Sequence, residues 1–357
     1  MLPSKPSVES VGSPAFWQHR GLLACLLYPV SLFFAALTEL RLLLYRLGFL
    51  SAQHVPVPVI VIGNLTVGGT GKTPLILHLV TMLRERGMHP GIVSRGYRGS
   101  AKRVLEVTAD SSPMVVGDEP LLLARRSQSP VFVGRDRVRA AQALLSRYPA
   151  CNVILSDDGL QHYRLARDVE IAVFDQRGTM NGWQLPAGPL REPISRLRRV
   201  DAVVFNSVAA PQGDFPETDS ALRGVLPAPT FGRPVFAMRL EGLSFYLLGQ
   251  KQITCRAENF LGKQVHAVAG IGSPQRFFDH LQAMGLVFEP HPFADHHDYQ
   301  REELNLSGDA ILTTEKDAVK FTRLNLTLPV WVLPVTANVS PDLVAFILEK
   351  LNGCPST

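Results

Sequence analysis

The segment Gly63 to Pro74 contains the residues whose types and spacing most clearly suggest chemistry. It follows the β-branched run 57–62 and precedes the apolar, helix-like run 75–80. A strand, a glycine loop ending in Gly-Lys-Thr and a helix together present backbone N–H groups and a helix N-terminus to a polyphosphate. In that arrangement the Lys72 ammonium meets the β and γ oxygens, and the Thr73 hydroxyl meets Mg²⁺. The segment therefore predicts a nucleoside triphosphate site.

The loop departs from the strict P-loop pattern at one position, because Thr66 stands where the first glycine is expected. A turn that only joins a strand to a helix is the alternative, and the correct flanks on both sides argue against it. The residues that we expect to bind the nucleotide are Gly68, Gly69, Thr70, Gly71, Lys72 and Thr73.

Two adjacent carboxylates, Asp157 and Asp158, follow the apolar run 153–155. An aspartate at the end of a strand beside the phosphate-loop strand is the group that P-loop enzymes use to hold Mg²⁺. Capping of a following helix is the alternative for both residues. We take both as candidate magnesium ligands, together with Thr73.

Two further clusters could act on a hydroxyl acceptor. Asp118 and Glu119 lie in a turn before a helix-like run, and the segment Asp295 to Tyr299 supplies imidazoles. A carboxylate paired with a histidine can take the proton of an alcohol as a P–O bond forms. Taken singly, each cluster fits a helix cap or a solvated surface group better than it fits a base.

Arginines and a formal net charge of +5 point to anionic partners. Guanidinium groups near 95–98, near 135–139 and at Arg191 suit phosphate, because two N–H donors meet two oxygens. Charge alone does not choose among phosphate, anionic lipid and nucleic acid. The four cysteines are dispersed and are read as reduced thiols of a cytosolic protein.

The elements that must position these residues alternate along the chain. Short β-branched runs separated by helical stretches predict an α/β fold with a largely parallel sheet and helices on both faces, as in P-loop NTPases. A Pro/Gly/Ala-rich linker is expected over 208–230, followed by a hairpin over Val235 to Leu248 and a smaller C-terminal α/β domain. The expected domains are an N-terminal apolar helix over 1–50, a P-loop kinase domain over 51–230, and the hairpin linker with the smaller domain over 231–357.

The N-terminal apolar segment is suited to lipid. From Gly21 to Thr38 it has no formal charge, and it continues to Leu50 around Glu39, Arg41 and Arg46. We favour a helix docked on the membrane surface over a full span, because Pro29 interrupts the uncharged part and the later charges can face headgroups. A span and a soluble core helix are the alternatives.

As an ordered set, these motifs resemble the tetraacyldisaccharide 4'-kinase family of lipid A biosynthesis. The resemblance covers roughly residues 15 to 335. It is based on 61–74, Ser94 to Gly99, Gly117 to Pro120, Asp157 to His162, Pro186 to Pro193 and Thr314 to Ala318.

The resemblance implies transfer of the ATP γ-phosphoryl group to the 4'-hydroxyl of a tetraacylated glucosamine disaccharide 1-phosphate, which gives lipid IV-A. It implies ATP and Mg²⁺, a lipid disaccharide substrate, and a location at the cytoplasmic face of the inner membrane. Residue roles follow from the matching motifs of the family. Thr70, Lys72 and Thr73 would bind phosphate and Mg²⁺, and Glu119 and Asp157 would help place the metal. Asp118 would be the general base supported by His296, and Arg191 would stabilise charge on the phosphoryl group. The adjacent His297 competes with His296 for the supporting role.

Three other classes fit less well. A GTPase would carry Asn-Lys-x-Asp after a late strand, but 205–208 lacks the lysine and the aspartate. A dimeric partition-type ATPase would have a lysine where Val67 stands. A nucleic-acid enzyme is suggested only by charge, without a recognisable basic and aromatic module. We therefore expect no nucleic-acid partner and infer no obligate protein partner.

Overall fold

The computed structural model describes residues 14–207 and 230–353. Within this part of the chain the helices are α1 (Leu22–Arg46), α2 (Lys72–Glu85), α3 (Pro113–Val116), α4 (Asp118–Ser127), α5 (Arg137–Arg147), α6 (Pro274–Ala283), α7 (Glu315–Phe321) and α8 (Asp342–Asn352). The strands are β1 (Val59–Gly63), β2 (Pro90–Ser94), β3 (Leu105–Val107), β4 (Val131–Val133), β5 (Val153–Asp157), β6 (Val169–Asp175), β7 (Ala202–Ser207), β8 (Val235–Glu241), β9 (Ser244–Leu247), β10 (Gln250–Arg256), β11 (Val265–Ala269), β12 (Glu289–Pro292), β13 (Ala310–Thr314), β14 (Val330–Leu333) and β15 (Thr336–Val339).

The described residues divide into two compact units, and the larger one comprises residues 19–207, 230–242 and 335–353. Its sheet has the order β15-β8-β7-β6-β1-β5-β2-β4-β3. The seven inner strands run parallel, and the edge strands β3 and β15 run antiparallel to their neighbours. Strands such as β1, β5 and β6 are buried along their whole length, which is why apolar residues predominate in them without a regular alternation.

The phosphate-loop strand β1 lies between β5 and β6, with Ile62 in register with Asp157. In parallel sheets ligands bind beyond the carboxyl ends of the strands. The register therefore brings the end of β5 beside the start of the glycine loop.

The smaller unit comprises residues 14–18 and 243–334 of the described part of the chain. Its sheet has the order β10-β9-β14-β13-β11-β12, with a parallel core and an antiparallel hairpin, β9–β10, at one edge. The helix α6 covers an apolar cluster on this sheet, whose buried members include Phe245, Phe260, Phe277, Leu281 and Leu312. The expected second α/β unit and its strands near 265–269, 310–313 and 330–333 are confirmed.

The expected hairpin over Val235 to Leu248 is wrong. β8 pairs with β7 and β15 in the large sheet, whereas β9 pairs with β10 and β14 in the small one. Alternation reports burial of one strand face and not the identity of the neighbouring strand, so it misassigned the partner. The hairpin occurs one strand later, around Gly249.

The C-terminal segment belongs to the larger unit, which differs from the expected boundary at 231. β15 pairs with β8, and Phe346 of α8 contacts Phe236 with ring centroids 5.6 Å apart. The chain thus returns to the large sheet after building the small one. The expected linker over 208–230 lies outside the described residues, apart from its last position.

The helix α1 is 25 residues long and, by length and composition alone, suits a membrane crossing. It continues through Pro29 without a break. Large apolar side chains along it are exposed, among them Leu22 at 80%, Leu26 at 67% and Phe33 at 66%. An apolar face of this size on a soluble protein indicates a lipid or protein contact.

One stripe of α1 packs onto the larger unit. Ala24, Ser31 and Leu42 are its buried residues. The Ser31 hydroxyl donates to the Gln184 carbonyl and accepts from the Ala187 N–H, each over 2.9 Å. The helix therefore supports the segment that leads to Arg191.

Candidate active site

The glycine loop connects β1 to α2, as the sequence predicts. Gly71 is the N-cap of α2 with φ at 96°, a left-handed conformation that favours glycine. A Cβ atom there would lie 2.5 Å from Nδ2 of Asn206, so a larger residue fits neither the backbone nor the space. Lys72 follows as the first residue of α2 and is buried, with 9% of its surface exposed.

Hydrogen bonds inside the loop hold its shape. Nδ2 of the buried Asn64 donates to the Gly68 carbonyl over 2.9 Å, and Nζ of Lys72 donates to Oδ1 of Asn64 over 3.2 Å. One amide side chain thus fixes both the bend of the loop and the position of the ammonium group. Polar side chains thus support the loop from within, through the Gly68 carbonyl and the Lys72 ammonium group.

Two residues from other strands brace the loop from outside. Arg177 forms a bidentate ion pair with Asp175 at the end of β6, and its Nη2 donates to the Gly69 carbonyl over 2.9 Å. Asn206, at the end of β7, donates to the Thr70 carbonyl over 3.0 Å. Sequence reasoning missed both residues, as well as Asn64.

Asp157 is fully buried at the end of β5. Oγ of Ser94 donates to its Oδ2 over 2.9 Å, while its Oδ1 has no hydrogen-bond partner in the part of the chain that the structure describes. Burial, together with the charges of the nearby Glu119 and Asp158, raises the pKa of Asp157 to about 6 against the opposing effect of Lys72. A buried carboxylate oxygen without a partner, among other carboxylates, is suited to a cation.

Asp158 has a different environment from its neighbour. Its Oδ2 accepts from Nη1 of Arg191 over 2.9 Å, and its Oδ1 lies 3.5 Å from Nζ of Lys72. Burial acts to raise the pKa of Asp158, but the charges of Lys72 and Arg191 outweigh it and hold that pKa well below its usual range. Asp158 therefore stays ionised and orients two cations.

Arg137 is buried beside this pair of aspartates. Its Nη2 lies 3.3 Å from the Asp157 carbonyl oxygen and 3.4 Å from that of Asp158, and donates to both. Burial lowers the pKa of Arg137 to about 10, although both aspartates act to raise it. Within the arginine cluster at 135–139, Arg137 therefore supports the turn through its carbonyls.

The position of Arg191 is set by pairing with the glycine loop. The Val67 N–H donates to the Pro189 carbonyl over 2.9 Å, and the Arg191 N–H donates to the Leu65 carbonyl over 2.7 Å. The next residue, Glu192, is buried at 1% exposure. Arg191 is thus held between the loop and a buried anchor.

Glu192 is anchored by polar side chains. The Tyr163 hydroxyl donates to it, and Nε2 of Gln161 donates over 3.2 Å. Nε of Arg196 lies 3.7 Å from Oε2 of Glu192. Burial raises the pKa of Glu192 although these partners oppose the rise.

Asp118 is the first residue of α4 and is buried at 5% exposure. Its Oδ1 accepts from the Glu119 N–H over 2.9 Å. The preceding Gly117 has φ at 91°, and a Cβ there would lie 2.8 Å from the Tyr97 carbonyl oxygen. Since Glu119 raises the pKa of Asp157, the start of α4 lies near the end of β5.

His296 lies in the smaller unit. Its Nε2 is 3.2 Å from Nζ of Lys316 and 3.7 Å from Oδ1 of Asp295. The neighbouring His297 instead pairs with Glu303, with Nε2 3.0 Å from both carboxylate oxygens. The two histidines therefore have different partners.

Comparison with known proteins agrees with this geometry. A family model described as LpxK, tetraacyldisaccharide-1-P 4'-kinase, matches residues 23–352. The chain belongs to this family. Its relatives include tetraacyldisaccharide 4'-kinases of Azoarcus sp., 52% identical over 95% of both chains, and of Aromatoleum aromaticum, 50% identical over 96% of this chain and 98% of the other. A crystal structure described as LpxK from Aquifex aeolicus in complex with ATP is 29% identical, covers 92% of this chain and all of the other, and has a TM-score of 0.73.

Members of the tetraacyldisaccharide 4'-kinase family phosphorylate the 4' position in lipid A biosynthesis. The expected family, fold class and kinase activity are confirmed. The membership also decides against the GTPase, partition-type ATPase and nucleic-acid readings. Asn206, which lies in the segment 205–208 that was compared with the GTPase motif, contacts the loop backbone.

Proposed function

We propose that this kinase transfers the γ-phosphoryl group of ATP to the 4'-hydroxyl of a tetraacylated glucosamine disaccharide 1-phosphate at the cytoplasmic face of the inner membrane. The observation that carries the proposal is the junction of β1 and β5. There a braced glycine loop and the Lys72 ammonium lie near a buried carboxylate oxygen that has no hydrogen-bond partner among the described residues.

The glycine loop binds the triphosphate of ATP in this proposal. The amides of Gly68 to Thr73 and the N-terminus of α2 face the phosphate oxygens, where the helix dipole favours negative charge. Lys72 supplies a full charge from a fixed position, because Asn64 and Asp158 hold it. The buried hydroxyl of Thr70 has no hydrogen-bond partner among the described residues and is available to a phosphate oxygen.

The donor set fits Mg²⁺. Oδ1 of Asp157 is the strongest candidate ligand, and Glu119 and the Thr73 hydroxyl complete a hard oxygen set. Asp158 was expected as a further ligand, and its ion pairs favour a role in orienting Lys72 and Arg191. A bound Mg²⁺ would neutralise charge on the transferring phosphoryl oxygens.

Asp118 is the proposed general base. As the 4'-oxygen bonds to the γ-phosphorus, the bond to the β–γ bridging oxygen breaks and the hydroxyl proton passes to the Asp118 carboxylate. Arg191 stabilises charge on the phosphoryl group, from a position fixed by Asp158 and the loop. His296 is the proposed support of the base, and the pairing of His297 with Glu303 favours His296 over its neighbour.

The helix α1 is the proposed contact with the membrane. Its exposed leucine and phenylalanine side chains suit the apolar edge of a bilayer, while Arg41 and Arg46 suit anionic headgroups. A helix of 25 residues is about 37 Å long. A substrate with four acyl chains can then be phosphorylated without leaving the bilayer.

Steady-state kinetics of Asp118→Asn with ATP and a tetraacyldisaccharide 1-phosphate test the proposal. We expect kcat to fall by about 10²- to 10⁴-fold with little change in KM for ATP, because the substitution removes the proton acceptor and leaves the loop intact. Asp110→Asn, at an exposed position of the same unit, is the matched control and keeps normal kcat. Near-normal turnover of Asp118→Asn would remove Asp118 as the base.

A further inference from the structure

A second cluster of ligand-type side chains lies on the smaller unit, in the sheet formed by β11 and β12. His266 of β11 is in register with Glu289 of β12, and His291 follows two residues later on the same strand. Residues i and i+2 of a strand face the same side of the sheet. The register therefore brings two imidazoles and one carboxylate together on one face.

The distances within this cluster match the ligand separations of a small tetrahedral ion. Nδ1 of His266 lies 3.0 Å from Nε2 of His291 and 3.4 Å from Oε2 of Glu289. One ligand atom from each residue falls within 4.8 Å of the others. Two nitrogens bound to zinc at about 2.0–2.1 Å with tetrahedral angles are about 3.3 Å apart.

The hydrogen bonding of His266 leaves its Nδ1 available as a ligand. Nε2 of His266 lies 2.9 Å from the Ser307 carbonyl oxygen. A carbonyl only accepts, so Nε2 carries the hydrogen and Nδ1 of the neutral ring carries a lone pair aimed at the cluster. A histidine that donates its second N–H to a backbone carbonyl is the usual outer support of a metal ligand.

The strand β12 presents its two ligands in a restricted backbone. Pro290 and Pro292 flank His291, and β12 lies at the edge of the sheet, where proline is tolerated. His266 is buried, whereas Glu289 is 63% exposed, so an ion can enter from solvent and keep water as a further ligand.

We propose that His266, Glu289 and His291 form a binding site for zinc, separate from the residues assigned to phosphoryl transfer. Two imidazoles and a carboxylate suit Zn²⁺ better than Mg²⁺ or Ca²⁺, which prefer oxygen ligands throughout. The ion would tie the edge strand β12 to β11. A hydrogen bond from His291 to Nδ1 of His266 is the arrangement expected if no metal binds.

Titration of the full-length protein in detergent with zinc chloride, followed by calorimetry and thermal unfolding, tests the site. We expect binding of one Zn²⁺ with a rise in Tm, and a tetrahedral absorption band when Co²⁺ replaces Zn²⁺. Glu289→Gln should weaken this binding by about 10- to 100-fold, and His291→Gln should abolish the cobalt band.

The controls separate this site from other histidines. His280→Gln, in the same unit and away from the cluster, should bind as wild type. Because Glu289 is exposed, Glu289→Gln keeps the test informative if His291→Gln does not fold. Equal zinc affinity in wild type and Glu289→Gln, or no zinc-dependent rise in Tm, would overturn the proposal.

Discussion

Replacing Asp157 by asparagine should make the protein more stable and inactive at the same time. Burial and two neighbouring carboxylates raise the pKa of Asp157 from 3.8 to about 6. At about 1.36 kcal/mol per unit of pKa, this rise corresponds to about 3 kcal/mol. Above pH 6 Asp157 is ionised in the folded protein, although the ionised form has a lower free energy in the unfolded chain. Asparagine has a similar shape, can accept from Ser94 and has no such cost.

The size of the effect depends on pH. The folded protein binds more protons than the unfolded chain between about pH 4 and pH 6, so the stability contributed by neutral Asp157 is complete below that window and is lost as pH rises through it. Asp157→Asn should therefore exceed wild type by about 1–3 kcal/mol at pH 7.5. About half of this difference should remain at pH 5, and none well below pH 4.

Urea unfolding in mild detergent, without nucleotide or divalent ions and followed by tryptophan fluorescence, measures this difference. Asp158→Asn is the matched control, because Lys72 and Arg191 lower the pKa of Asp158 and its removal should destabilise the protein instead. Adding ATP and Mg²⁺ should stabilise wild type more than Asp157→Asn, because the variant keeps the phosphate loop and lacks one proposed metal ligand. An asparagine variant no more stable than wild type at pH 7.5 would refute the reasoning.

Two more predictions follow from the braces and from α1. Arg177→Ala removes a charge-assisted hydrogen bond to the Gly69 carbonyl, worth about 1.5–3 kcal/mol, and should raise KM for ATP by about 10- to 100-fold. Arg177→Lys should recover part of this loss. An unchanged KM in Arg177→Ala would show that the loop needs no brace. Leu26→Gln combined with Phe33→Gln should move the protein from the membrane fraction to the soluble fraction, because both side chains are exposed on α1. The control is Leu261→Gln, which changes an exposed leucine outside α1. Unchanged partitioning of the α1 variant would argue against docking.

The sequence predicted the parts of the site that depend on local order. The strand, glycine loop and helix around Lys72 are contiguous, and Asp157 follows a recognisable apolar strand. The adjacency of β1 and β5 followed from the usual layout of such sheets. Local pattern was therefore sufficient to predict that the glycine loop and the carboxylate of Asp157 lie near one another.

The braces and the sheet edges could not be predicted in the same way. Arg177 is 108 residues from Gly69, and Asn206 is 136 residues from Thr70, so no spacing rule connects them. Their roles depend on which strand ends meet. β15 likewise joins β8 only after the chain has built a second sheet. A strand pattern reports burial, and partner choice is decided by packing of the whole unit.

Ser31 gives α1 a structural role within the larger unit. Its hydroxyl satisfies a carbonyl and an amide of the turn that precedes Arg191. In a shortened protein that lacks α1, the Gln184 carbonyl and the Ala187 N–H would lose their hydrogen bonds to Ser31, and the turn would lose this support. Weak turnover of such a variant would therefore not by itself show that α1 acts through a membrane contact. Substitutions on the exposed face of α1 leave Ser31 in place and separate the two contributions.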